Sequence, residues 1–158
     1  MPEIINEPVT GLEEIVEPTN ALAALSQFYR ALNARDLELM EQNWDNSEDA
    51  VMDNPLGGIR RGWVEIRAVY ERLFSAPALY RFEFYDYTLH HFGNVFMVIG
   101  RERGEFAVAG GGLLRLAIRT TRVFRWTGNR WRQFHHHGSI DDPDMLARYQ
   151  HAVLRRAA

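Results

Sequence analysis

The chain has 158 residues, 46% of them hydrophobic, a length and apolar content that suit one domain with one core. Its 18 basic residues are all arginine and its 21 acidic residues leave a formal charge of -3, so nothing draws it generally to nucleic-acid phosphates or anionic lipid. The absence of cysteine excludes disulfides and thiolate metal sites, no apolar run reaches membrane-spanning length, and the start "MPEIINEPVTG" lacks an export signal; a cytoplasmic protein without membrane or nucleic-acid partners is expected.

Residues 1–18 carry three prolines and five glutamates among scattered Ile and Val, which reads as an arm ahead of a domain spanning 19–158. Thr19 is positioned as an N-cap, and Leu22, Leu25, Phe28, Tyr29 and Leu32 then recur at helical spacing until "NARD" interrupts them. Asp36 caps a second, short helix through Leu37, Met40 and Trp44, and "EDAVMDNPLGG" reads as a brief strand ended by Pro55 and two glycines. Gly62 opens a third helix whose Trp63, Ile66, Tyr70, Leu73 and Phe74 form one apolar stripe before Pro77.

Beyond Pro77 the period changes to two. "LYRFEFYDYTLHHF", the turn dipeptide "GN" and "VFMVIGRERGEF" predict a long hairpin, and the glycine-rich "AVAGGGL" predicts a loop. "LRLAIRTTRVFRW" passes through "TGN" into "RWRQFHHHGSI", and Asp142 with Pro143 starts a last helix that has arginines at its C-terminal end. Helices followed by long antiparallel strands define an α+β fold with the helices on one face of the sheet.

Three stretches together, "ALNARD", "AVMDNPLGGIRRGWVEIRAVYERLF" and "TTRVFRWTGNRWRQFHHHGS", resemble the nuclear transport factor 2-like superfamily, within it the SnoaL-like proteins and the calcium/calmodulin-dependent protein kinase II association domains. The resemblance runs from about Leu22 to Ser139 and is closest to the association domain's T-R-V-W, turn, W, H-x-H-x-S pattern. It implies a cystatin-like cone, in which a strongly curved antiparallel sheet wraps around the third helix and a pocket opens between them, with the last helix as an addition. The superfamily holds isomerases, cyclases, dehydratases, transport adaptors and oligomerisation hubs, so the fold does not choose a function.

Residue by residue, the resemblance to ketosteroid isomerases fails at the chemistry. Their general-base Asp stands immediately before the Pro of a D-P-x-G turn, where this chain has Asn54, with Asp53 one position earlier. Their oxyanion-holding Tyr falls on Phe28 and their protonated Asp near Thr121, so the acidic donor pair is missing. The association domains match better: Arg122 occupies the arginine position of their T-R-V-W motif and Arg101 that of the preceding strand, and both are expected to point inward. Their third pocket arginine is replaced by Gly138.

The histidines divide by strand geometry. Consecutive side chains on a strand face opposite ways, so His135, His136 and His137 cannot converge on one metal ion, and no metal or cofactor is expected. A hairpin closing "TGNR" in even register puts Arg122 in phase with His135; a three-residue loop puts it in phase with Phe134 and His136, and the related D-G turns favour the latter. That choice places Trp131, Gln133, His135 and His137 on the convex face as a homodimer surface. The expected site therefore comprises Asp53 and His136 as proton carriers and Arg101, Arg122, Trp63, Tyr70 and Phe134 as ligand-binding residues. Two functional readings follow: a small-molecule site acting on a carbonyl or carboxylate compound, as in an isomerase, cyclase or dehydratase, or a non-catalytic oligomerisation and binding module.

Overall fold

The computed structural model describes residues 1–108 and 111–154, without the side chain of Val108. Its elements in chain order are α1 (Ala21–Ala34), α2 (Leu37–Asn43), β1 (Val51–Asp53), β2 (Arg60–Arg61), α3 (Gly62–Ser75), β3 (Ala78–Phe92), β4 (Val95–Val108), β5 (Leu113–Trp126), β6 (Trp131–Ser139) and α4 (Pro143–Leu154). The glycine-rich loop expected between β4 and β5 lies partly outside the described residues, as do the arginines expected at the end of α4. No described helix is long and apolar enough to cross a membrane.

Six strands form one sheet in the order β2-β1-β6-β5-β4-β3, antiparallel except for the parallel β1–β6 pair. The alternation of the sequence decides which side is buried. On β4 the side chains of Phe96, Val98, Glu102 and Phe106 are buried, whereas Ile99, Arg101, Arg103 and Glu105 are exposed; on β5 Leu114, Leu116, Ile118, Thr120, Arg122 and Phe124 are buried. The sheet bends where the β3–β4 register slips between Tyr85 and Thr88, with Asp86 at φ 49°. Opposite that bulge a Cβ on Gly100 would stand 2.5 Å from the Cβ of Tyr87, so only glycine permits the close approach.

The helices cover the concave side. The stripe read as helix one does form α1, but its N-cap is Asn20, not Thr19: the Asn20 side chain accepts from the Leu22 N–H, while the Thr19 carbonyl accepts from Trp131 Nε1. Leu25, Phe28 and Tyr29 are at most 1% exposed, so α1 is the helix seated deepest against the strands, where the resemblance had assigned that place to α3. Burying side chains of this size contributes roughly 1.5–3 kcal/mol each. Helix α3 packs on α2, β1, β2 and α4.

Within residues 1–18, the stretch from Ile5 to Val9 runs beside the free edge of β3. Ile5 pairs with Tyr87 and Val9 with Phe84 through two backbone hydrogen bonds each, Val9 is buried, and Glu13 accepts from Thr10, Gly11 and Ser26. These contacts cover an edge that would otherwise offer unpaired backbone groups to another chain.

Candidate functional site

The strands, α1, α3, α4 and the turn after β1 line a partly open cavity of about 50 Å³, with Phe28, Tyr70, Glu102, Arg122, His136 and Tyr149 on its wall. That exceeds the roughly 10–15 Å³ below which a cavity cannot hold even one water molecule. Met52, Leu56, Val69, Leu73 and Phe82 make the remainder of the wall largely apolar. Helix α4 covers one side of the cavity: Tyr149 and Val153 are buried, Tyr149 meets the Phe106 ring edge-on at 5.6 Å, and Gln150 Nε2 donates to the Leu56 carbonyl at 2.8 Å.

The polar groups inside depend on an irregularity in the β5–β6 hairpin. Next to the turn Trp126 pairs with Trp131 and Phe124 with Gln133, but the register then shifts, leaving Phe134 as the extra residue, so that Arg122 pairs with His136. Gln133 and His136, three residues apart, therefore share the interior. Arg122, 1% exposed, donates from Nη2 to Glu102 Oε2 at 2.6 Å, from Nη1 to Gln133 Oε1 at 2.8 Å and from Nε to the Tyr29 hydroxyl at 3.3 Å. The Tyr29 hydroxyl donates to Glu102 Oε2 at 2.5 Å, and Gln133 Nε2 donates to Asn43 Oδ1 at 3.2 Å. The guanidinium also lies over the Phe28 ring at 3.6 Å. Burial alone would lower the Arg122 pKa, but Tyr29 and Glu102 outweigh it and hold the guanidinium firmly protonated. Burial and the Glu102 charge push the Tyr29 hydroxyl far above the usual phenol range.

His136 differs from this satisfied cluster. It is 6% exposed, and neither ring nitrogen has a protein hydrogen-bond partner. Burial, followed by the Arg122 charge and the flanking His135 and His137, lowers its pKa well below the ordinary histidine value, so the ring is neutral at pH 7. A neutral imidazole has one donor and one acceptor, and in this wall both are uncommitted.

The remaining expected site residues separate. Arg122, Tyr70 and His136 meet at the cavity. Arg101 points the other way: its side chain is 55% exposed and paired with Asp86 on the convex face, while its neighbour Glu102 turns inward. Asp53 sits at the outer side of β1, its Oδ2 3.6 Å from His137 Nδ1, so it and His136 face opposite sides of the sheet. Asn54 lines the cavity instead. Trp63 is committed to Glu41 through Nε1 at 3.0 Å and does not reach the wall. Phe134, expelled by the bulge, is half-buried with the Arg125 guanidinium 5.7 Å from its ring. Trp131 and Gln133, expected on the convex face, belong to the concave side: Gln133 is fully buried and Trp131 packs edge-on against Phe96 at 4.8 Å. His135 and His137 remain outside, with His135 Nδ1 2.9 Å from the Val51 carbonyl.

Space for a third arginine is tight at Gly138. A Cβ there would meet Pro55 at 3.0 Å and His136 Nε2 at 3.1 Å, so a side chain at this position would require Pro55 or the His136 ring to give by a few tenths of an ångström. Among the described residues no three His, Asp or Glu side chains come together as a metal ion would require.

Comparison with known proteins places this geometry. The profile of the SnoaL-like domain matches residues 21–143. Among solved structures, a proposed calcium/calmodulin-dependent protein kinase type II association domain from Thiobacillus denitrificans is 26% identical, with a TM-score of 0.68 over 82% of this chain and 100% of that one. A proposed dehydratase of the NTF2-like family from Streptomyces avermitilis superposes with a TM-score of 0.70 at 21% identity, over 75% and 91% of the two chains. A protein with a cystatin-like fold from Caulobacter vibrioides gives 0.62 at 18% identity, over 85% and 94%. No curated protein matches the chain.

Proposed function

Because the chain belongs to the SnoaL-like domain family, we propose that its interior cavity binds a small molecule and that His136 is the group that grips it. The observation that carries this reading is a buried imidazole on the cavity wall whose two nitrogens have no protein partner. Buried polar groups without partners are rare in folded proteins, and each calls for a reason. Arg122, Glu102, Tyr29 and Gln133 fix the wall on one side, and Tyr149 covers the other. Should the bound molecule react, as the dehydratase likeness suggests, the proton carrier is His136: Asp53 lies across the sheet, and Asn54 at the cavity cannot accept a proton. Isomerase, cyclase and dehydratase chemistries all satisfy that constraint.

Ring-¹⁵N-labelled histidine tests this reading. Members of a library of small fragments at millimolar concentration should shift the His136 ring resonances while leaving His90 and His91 unmoved. A library that moves no His136 resonance contradicts it.

A second reading, assembly of several copies, is supported by the 26% identity to the association domain. The convex face, with His135, His137 and the arginine pairs, is the surface assigned to it. Light scattering at roughly tens of micromolar should then give at least a dimer, and a monomer at that concentration removes it. The two readings are compatible, since a dimer can enclose the same cavity.

A further inference from the structure

The formal charges on the cavity wall are two, Arg122 and Glu102, and they are paired at 2.6 Å with 2% and 6% of their side chains exposed. Every other polar group facing the space is uncharged: the His136 ring, the Asn54 amide and the hydroxyls of Tyr70 and Tyr149. Burial pushes both tyrosines far above their ordinary pKa, and the His136 ring stays unprotonated at neutral pH. The interior therefore sums to zero without a ligand. Arg101, which would have tipped the sum positive, lies outside and is paired there.

Resting on the reading of His136 as the gripping group, we propose that this cavity selects an uncharged hydrogen-bonding molecule, an amide or a hydroxyl compound, over the carboxylate of the same shape. An anion inside would stand uncompensated, because the guanidinium it needs is already held by Glu102, Gln133, Tyr29 and the Phe28 face. An anion sharing the guanidinium would add a second negative charge to the one that Arg122 already neutralises in Glu102, leaving one buried charge without a counter-charge. A cation meets the mirror problem, since the charge of Glu102 is already neutralised by Arg122 through Oε2. An uncharged amide or hydroxyl meets neither, and can use the donor or the acceptor that His136 offers. The wall's apolar remainder and its volume of about 50 Å³ favour a small molecule with an apolar part.

The test uses two probes that differ by one charge, isobutyramide and isobutyrate, titrated at pH 7 against the full chain with the His136 ring resonances as the readout. The amide should bind at least tenfold more tightly than the carboxylate. Glu102→Gln should reverse that order, because it frees Arg122 for an anion. Isobutyrate binding as tightly as isobutyramide to the unaltered chain, with His136 responding to both, overturns the charge selection and leaves the cavity reading intact. If neither probe moves His136 while the fragment library does, the selection for such small uncharged groups is overturned; if the library also fails, the cavity reading falls with it. The wild-type comparison is decisive even if the variant does not fold.

Discussion

Strands β4 and β5 carry arginine–carboxylate pairs on both faces, in opposite surroundings. Outside, Arg101 with Asp86 and Arg119 with Asp141 are half exposed, each a single contact at 2.8 Å. Inside, Arg122 with Glu102 is sealed from solvent and joined by Tyr29 and Gln133. The lesson is that residue type does not assign a role here: solvent screens the outer pairs, whereas the inner pair must be complete because either member alone would be a buried, uncompensated charge.

The contrast breaks first at the inner pair. Glu102→Ala or Arg122→Ala should lower stability by about 3–5 kcal/mol in urea unfolding, while replacing both with apolar residues of similar volume should recover most of the loss. A single substitution costing less than about 1 kcal/mol would remove the distinction between the faces. Next in size is Tyr29→Phe, which deletes the donor to a buried carboxylate and should cost about 1.5–3 kcal/mol in the same measurement.

His136 sharpens the comparison through pH. Its folded-state pKa is depressed, so the unfolded chain takes up its proton first as pH falls. Stability attached to this group is present above the unfolded value of about 6.5 and declines below it, by up to about 1.4 kcal/mol per pH unit until the folded pKa is reached. Unfolding from pH 7.5 down to 5 should show that decline, and His136→Phe should flatten it; an unchanged slope in the variant would mean that the ring is not held neutral. The smallest effect belongs to the outer face: Arg101→Ala should change stability by no more than about 1 kcal/mol, and less in high salt.

Much of this was legible in the sequence. The apolar stripes predicted α1 and α3, and the change to period two placed β3 through β6. The same alternation also held the answer for β4, since Phe96, Val98 and Phe106 put even-numbered residues inside and so select Glu102 over Arg101; likeness to the association domains pointed to Arg101 instead. The bulge that expels Phe134 was not legible, because one extra residue leaves no mark in composition yet turns Gln133 inward and Phe134 outward. The covering role of α4 was equally hidden: its stripe predicts a helix, but only the tertiary structure sets Tyr149 over the cavity.

If the working site lies inside the curved sheet at His136, a high-resolution crystal structure of the protein reveals it. Ordered density should then stand within hydrogen-bond distance of a His136 ring nitrogen, bounded by Tyr70, Arg122 and Tyr149. A cavity collapsed around His136, with α4 side chains occupying the space and bound molecules only on the convex face near Arg101 and His137, would contradict it.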